Sequence, residues 1–272
     1  MMVGTGATTN AKNNKEEETC TCTYSQRVVL LQASIECNNI GVALLLAGRI
    51  RESLETFKGA TEIISATSTL ISRKAAADEM EETACARQDS LKTPAPFASA
   101  LEQTAKAVLK QAQQKYAVLQ RAPQSSGLIM ELCSDPILID PLSTPITSDP
   151  DSCILESAVI VYNLGLNYQV FGSIRCLEKA LQLYDMAHSL TVSAGSVKTE
   201  AIHLAVACMN NIGVIHYTVG DYTKTKQCMD YLALCLSQLP LPRNVDNQSI
   251  AERQRLCLNV LLLQEPTCAN AA

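Results

Sequence analysis

Cysteine and histidine are the residues of this chain with the most potential for chemistry, and it has twelve of the first and three of the second. A cysteine nucleophile needs a histidine within reach to take its proton. His203 and Cys208 are five residues apart, which places them on different faces of a helix. Glu81 and Glu82 lie in a charge run typical of a solvated surface. With no Gly-rich phosphate loop, Ser elbow or paired His–carboxylate motif, the sequence predicts a protein that is not an enzyme, without catalytic residues or a cofactor.

Metal binding has no better support. Cys20 and Cys22 stand close together, but zinc requires four ligands and no second Cys or His pair lies near them. No Cys-x-x-Cys pair occurs in the chain. We therefore predict no metal site, and expect reduced thiols that mostly fill core space as small hydrophobic groups.

Composition limits the fold and the partners. Apolar residues make up 47 % of the 272, yet there is no Trp and only three Phe, which favours an aliphatic core of packed helices. The net charge is −5 and the cations are scattered, so we expect no nucleic-acid partner. Residues 1–14 lack the apolar region of a signal sequence, and no apolar run approaches the ~20 residues of a membrane helix. The prediction is a cytoplasmic protein without a membrane partner.

One phrase occurs three times and organises the chain. Each copy has Asn, then Ile or Leu, then Gly, with a second Gly seven residues after the first. The copies span residues 38–48, 162–172 and 210–220. Apolar spacing of three and four residues around each copy predicts a helix, a glycine turn and a second helix.

The predicted elements form one helical domain over residues 25–265. Helix hairpins are expected at about 28–71, 153–193 and 197–239, with a capping helix at about 247–264 that closes the stack. Further helices are expected at 73–87 and 98–121. Low hydrophobicity predicts a disordered leader, 1–24, and a disordered tail, 266–272.

An insertion at 122–151 resists a helical interpretation because it holds five of the ten prolines. Two short apolar runs, 128–132 and 137–139, are compatible with a small β-hairpin lying over the helices. A disordered loop is the alternative.

The three copies resemble tetratricopeptide repeats, a family of stacked helix-turn-helix units of about 34 residues. The family has a small residue where the two helices of a hairpin touch, and here these residues are Gly41, Gly165 and Gly213. The turn glycine of the family is matched by Gly48, Gly172 and Gly220.

The second helices follow the family less evenly. The family pattern of a small residue, an aromatic and Ala is met by Ser53, Phe57 and Ala60, and by Ala180, Tyr184 and Ala187. The third copy departs from it with Thr225, Met229 and Leu232. The copies are unevenly spaced and lack the closing Pro, so the resemblance is to a divergent member. It implies an all-α chain of antiparallel hairpins stacked as a short α-solenoid.

The resemblance implies binding of a peptide or helix from a partner protein in a concave groove lined by the first helices. Chaperone-binding members have Lys and Arg at the groove positions. This sequence has neither residue at those positions, so we do not expect a chaperone partner, and the partner is an unknown protein. The predicted groove residues are Asn38, Val42, Leu45, Tyr162, Leu166, Gln169, Asn210, Val214 and Tyr217.

Two alternatives remain open for this groove. The same residues could be covered by the chain's own elements, since apolar faces are usually core, or they could mediate self-association into a homo-oligomer. A recurring Asn, at positions 39, 163 and 211, has two interpretations as well. It could bind a peptide backbone or, the preferred interpretation, form hydrogen bonds that cap or bridge neighbouring helices.

Overall fold

Helices make up nearly all of the described structure. The computed structural model describes residues 10–83, 95–119, 134–140, 153–193, 199–238 and 247–264, none of which is in a strand. The predicted all-α class is therefore confirmed for this part of the chain. Its helices are α1 (Asn10–Leu46), α2 (Ile50–Thr83), α3 (Ala95–Leu119), α4 (Ile154–Phe171), α5 (Ile174–Ser193), α6 (Thr199–Thr218), α7 (Tyr222–Gln238) and α8 (Asn247–Gln264).

Two boundaries differ from the sequence prediction. The disordered leader was expected to reach residue 24, whereas α1 begins at Asn10. Once the apolar part of a helix is formed, each added residue gains a hydrogen bond without a new nucleation cost, so polar residues can prolong it. The same reasoning applies to α2, which continues without a break to Thr83 through the separate helix expected at 73–87. Residues 1–9 and the predicted tail, 266–272, lie outside the described residues.

Left-handed glycines end the first helix of three pairs, as the repeated phrase predicts. Gly48, Gly172 and Gly220 have φ values of 74°, 74° and 83°. The N–H of Gly172 donates to the carbonyl of Gln169 at 3.0 Å, and Gly48 and Gly220 make the equivalent bond to Leu45 and Tyr217. Only glycine adopts this backbone conformation without a steric cost, so the phrase fixes where the chain reverses.

A second glycine in each copy allows the paired helices to touch. A methyl group at Gly41 would lie 2.7 Å from the ring of Phe57, and one at Gly165 would lie 3.1 Å from the ring of Tyr184. In the third pair Gly213 faces Met229. The partners Phe57, Tyr184 and Met229 are fully buried, so these contacts belong to the core.

The helix pairs pack in sequence. Besides their own partners, α2 contacts α4, α5 contacts α6, and α7 contacts α8, while α4 also touches α1 and α6. The helices α1, α4, α6 and α8 therefore follow one another along one side, and we call them the inner helices. Helix α3 packs against α1 and α2 at the first end of this arrangement.

Helix α8 buries only a narrow face. Leu256, Val260 and Leu263 are buried, but Leu261 is 72 % exposed and Cys257 is exposed as well. Leu258 and Leu262 are also largely exposed. The contacts to α7 and α6 cover only one side of the helix.

Residues 134–140 lack any regular element and cross the inner helices. Ile137 and Ile139 lie in the second arm of the predicted β-hairpin, but their backbone groups bond to side-chain amides instead of a strand. The other arm, 128–132, lies outside the described residues, so the hairpin is not confirmed.

Within the part of the chain that the structure describes, one helical stretch, Gln26–Leu46, is long and apolar enough to cross a membrane by length and composition alone. Most of it is buried inside the structure, as expected for a core helix, which passes the same test. The expectation of no membrane-spanning segment therefore stays a prediction.

Candidate functional site: an asparagine ladder holding an extended segment

The inner helices hold an extended piece of the chain's own insertion. We call residues 134–140, Ser-Asp-Pro-Ile-Leu-Ile-Asp, the inner segment. Its contacts run from α6 at Ser134 through α4 at Ile137 to α1 at Ile139, opposite to the order of these helices in the sequence. Each of the three helices contributes the Asn that recurs in the repeated phrase.

Asn163 of α4 makes the central contact. Its side-chain oxygen accepts a hydrogen bond from the N–H of Ile137 at 2.9 Å, and its Nδ2 donates to the carbonyl of the same residue at 2.7 Å. A carboxamide thereby satisfies both backbone groups of one residue, as a neighbouring β-strand does. Asn163 is completely buried and Ile137 is half-buried, so these bonds are partly shielded from water.

Asn39 of α1 repeats this arrangement two residues further along the segment. It accepts from the N–H of Ile139 at 3.0 Å and donates to its carbonyl at 2.8 Å. Alternate residues of an extended chain point their backbone groups to the same side, which explains why the helices bind residues 137 and 139 and leave Leu138 between them.

Asn211 of α6 binds the start of the segment. It accepts a hydrogen bond from the N–H of Ser134 at 2.9 Å and donates to the hydroxyls of Tyr162 and Tyr184. Tyr162 in turn donates to the carbonyl of Asp135 at 3.1 Å. This third asparagine therefore binds the segment on one side and bridges helices on the other.

Further buried amides connect these contacts into a ladder. Asn163 also donates to Asn38 at 2.9 Å, and Asn38 is within 3.3 Å of the carbonyl of Ile137. At the other end Asn259 of α8 donates to Asn210 at 2.8 Å, and Asn210 donates to Asn211 at 3.1 Å. We use the name asparagine ladder for Asn38, Asn39, Asn163, Asn210, Asn211 and Asn259.

An ion pair adds a charged contact. Both guanidinium Nη atoms of Arg255 in α8 lie 3.1 Å from the two carboxylate oxygens of Asp135. Such a bidentate pair fixes the orientation of both planar groups. Asp135 remains about half exposed, so water screens part of the attraction.

The side chains of the segment differ in burial. Ile139 is 7 % exposed and Ser134 is fully buried, whereas Leu138 is 63 % exposed. Ile137 is half-buried against the core. The helices therefore enclose every second side chain in the Ile137–Ile139 stretch, as the alternation of an extended chain requires.

The nine predicted groove residues fall into two groups. Eight of them are buried, and Tyr217 alone of the nine is exposed, at 39 %, with its ring against Tyr222. Three of the eight belong to the segment's surroundings, namely Asn38, Tyr162 and Asn210. Gln169 accepts a hydrogen bond from Tyr184 at 2.7 Å. The remaining four are core residues, Val42, Leu45, Leu166 and Val214.

The structure contains both kinds of contact considered for the recurring Asn. Asn39 and Asn163 each bind the N–H and the carbonyl of one residue of the inner segment. Asn163 and Asn211 also form hydrogen bonds to side chains of neighbouring helices, as the preferred interpretation predicts. Sequence reasoning missed the ion pair of Arg255 with Asp135, because no local spacing connects residues 120 apart. The recurrence of Asn at one position of the repeat did single out these residues in the sequence, but it did not identify residues 134–140 as their partner.

Thiol chemistry has little support in the described residues. Burial, with a smaller effect of Glu36, raises the pKa of Cys37 to about 12, and burial also raises the pKa of Cys208. A thiol with a raised pKa carries little of the nucleophilic thiolate at neutral pH. No cluster of His, Cys, Asp and Glu suited to a metal ion occurs among the described residues.

Comparisons with known proteins add no assignment: no protein-family model, curated protein or solved structure matches this chain.

Proposed function

We propose that this chain is a non-enzymatic protein-interaction module whose inner helices bind an extended segment of a partner protein. The observation that carries the proposal is the two-bond contact of Asn163 with Ile137 and of Asn39 with Ile139. These bonds reach only the backbone, so they would fit other sequences in the same extended conformation. Binding through backbone groups, with side-chain pockets for selectivity, is a recurring mode of peptide recognition.

The arrangement of helices favours a tetratricopeptide-like α-solenoid as the scaffold. Three helix pairs turn at left-handed glycines, close contacts at Gly41, Gly165 and Gly213 join each pair, and successive pairs touch. In such a solenoid the first helices of successive units line one concave face. In the proposed solenoid the asparagine ladder, which belongs to α1, α4, α6 and α8, would lie on that face.

A partner must replace the inner segment, because this segment occupies the ladder in the present structure. The second candidate is a structural or self-associating protein whose groove is permanently filled by its own chain. The burial of Ser134 and Ile139 favours this alternative, since buried side chains resemble core more than a removable cover. The two candidates differ in whether the ladder accepts a segment that is not part of the chain.

The experiment vacates the groove in the full chain. Residues 134–140 are replaced by a Gly/Ser sequence of equal length, and a fluorescent peptide, Ser-Asp-Pro-Ile-Leu-Ile-Asp, is titrated while anisotropy is recorded. Saturable binding that weakens on Asn39→Ala, by about tenfold for two lost hydrogen bonds, supports the proposal. Tyr217→Ala is the matched control, because this exposed residue makes no bond to the segment.

Two results would favour the second candidate instead. One is a vacated chain that keeps its helical circular dichroism but binds no peptide. The other is a vacated chain that does not fold, which would make the segment part of the core.

The proposal extends to location and partners. We propose a cytoplasmic protein, because buried thiols such as Cys37 and Cys208 suit a reducing compartment. The partner is a protein or peptide, without a nucleic-acid or membrane role.

A further inference from the structure

We infer that the partner segment carries an acidic residue, then an aliphatic residue two positions later and a second aliphatic residue two positions after that. The inner segment is then an internal copy of this ligand, with Asp135, Ile137 and Ile139 at the three positions. The inference rests on the proposed function, and it adds the chemistry that selects among extended segments.

Register comes from the backbone contacts. Asn163 and Asn39 each engage both polar groups of one residue, and those residues are two apart. A ligand shifted by one residue would present its other face, so its alternate side chains would point away from the helices. The ladder therefore determines which side chains of a ligand face the helices, but it does not select the type of those side chains.

Selection comes from the surroundings of those side chains. The position of Ile139 is almost closed to water and belongs to the hydrophobic core, so it favours an aliphatic group and rejects a charge. The position of Ile137 is half-buried against the same core. The position of Leu138 is open to solvent and accepts any side chain.

Charge defines the remaining position. The guanidinium of Arg255 meets the carboxylate of Asp135 with two parallel bonds of 3.1 Å. Tyr162 donates to the carbonyl of the same Asp135, so the backbone there is fixed while the side chain reaches α8. A basic residue at this point of a ligand would meet Arg255 with like charge, which makes the contact selective for an acid.

Competition with the tethered segment follows from its attachment. A segment that is part of the chain has a higher effective concentration at the groove than a separate ligand. An outside ligand therefore binds the intact chain more weakly than the vacated chain. A partner displaces the segment only when its own contacts exceed those of the internal copy.

The test uses the vacated chain and four peptides. Relative to Ser-Asp-Pro-Ile-Leu-Ile-Asp, we expect about tenfold weaker binding for Asp135→Arg and at least that loss for Ile139→Asp, but no change for Leu138→Ser. Introducing Arg255→Glu into the vacated chain should reverse the preference, so that the Asp135→Arg peptide binds more tightly than the parent. The reversal separates a charge contact from a general loss of structure.

Each outcome has a definite meaning. Equal binding of all four peptides would overturn the inference and leave the proposed function standing, since the backbone alone would then be recognised. No binding by a folded vacated chain would end the proposed function and this inference with it.

A second measurement covers a vacated chain that does not fold. In the intact chain, Asp135→Arg and Arg255→Glu are made singly and together, and deuterium exchange of residues 134–140 is followed. Each single change should accelerate exchange and the double change should restore protection. Unchanged exchange in both single variants would overturn the inference.

Discussion

The carboxamide of Asn163 binds the N–H and the carbonyl of Ile137 at 2.9 and 2.7 Å, although the two residues belong to different parts of the fold. One comes from a repeated helix and the other from a proline-rich insertion. An amide side chain thus takes the place of a β-strand neighbour in an all-helical environment. Through this contact the insertion occupies the side of the inner helices that carries the asparagine ladder.

Removing this amide should destabilise the intact chain. Asn163→Ala removes the partner of the Ile137 N–H and the shorter of two bonds to the Ile137 carbonyl, which Asn38 also reaches, and this costs roughly 1–3 kcal/mol. Urea unfolding followed by circular dichroism measures the change. Leu138→Ser is the control, since its exposed side chain should contribute little. An Asn163→Ala chain as stable as the control would mean that these hydrogen bonds carry no net stability.

The glycine contacts predict a difference between two similar substitutions. Gly41→Ala places a methyl group 2.7 Å from the buried ring of Phe57, which has no room to yield, so overpacking of roughly 1–3 kcal/mol outweighs the gain in helix propensity. In Gly213→Ala the nearest atom is the terminal methyl of Met229, a flexible group that can rotate away. Thermal unfolding should therefore show the greater loss for Gly41→Ala. An equal loss of stability in the two variants, or a greater loss for Gly213→Ala, would contradict the close packing of Phe57 against Gly41.

His216 should make the fold less stable in mild acid. Burial, followed by the charge of Lys224, lowers the pKa of His216 below 6.5, although Asp221 and Asp185 act in the opposite direction. The unfolded chain then takes up a proton at a higher pH than the folded chain. The stability is complete above about pH 6.5 and declines as the pH falls toward the lowered pKa.

Urea unfolding between pH 7 and pH 5 measures this decline, and His216→Gln should flatten it. An unchanged slope in the variant would assign the dependence to other groups. The effects of Glu55 and Asp221, whose carboxyl pKa values are lowered, belong to more acidic conditions.

Thiol reactivity should follow burial. Burial raises the pKa of Cys37 to about 12 and of Cys228 to about 11, and it raises the pKa of Cys208 as well. At pH 8 iodoacetamide should modify the exposed Cys257 in the folded chain and these three only on unfolding. Mass spectrometry of digested protein identifies the modified sites. Rapid labelling of Cys208 in the folded chain would reopen the interpretation of a cysteine-dependent enzyme.

The sequence predicted the helix pairs well because their signals are local. A glycine that must adopt a left-handed conformation, such as Gly172, and a glycine that must admit a ring, such as Gly165, are visible within one copy of the repeat. Helix boundaries were less predictable, since α1 continues to Asn10 through residues that have little apolar character.

The occupied groove was beyond local reasoning. Asn39 forms hydrogen bonds with Ile139 across a separation of 100 residues, and no local sequence pattern predicts that contact. The same lack of information led to Leu166 and Val214 being chosen as groove residues, although both are almost completely buried in the core. A charged residue introduced at either position would disrupt packing, so its effect would not report on ligand binding.

The most direct test of the asparagine ladder is amide exchange of the inner segment in the intact chain, resolved by nuclear magnetic resonance. We predict slow exchange for the N–H groups of Ile137 and Ile139 and faster exchange for Leu138 between them. Asn163→Ala should release Ile137, and Asn39→Ala should release Ile139. Equally fast exchange of all three amides in the wild-type chain would show that the ladder does not hold the segment, and would contradict the account.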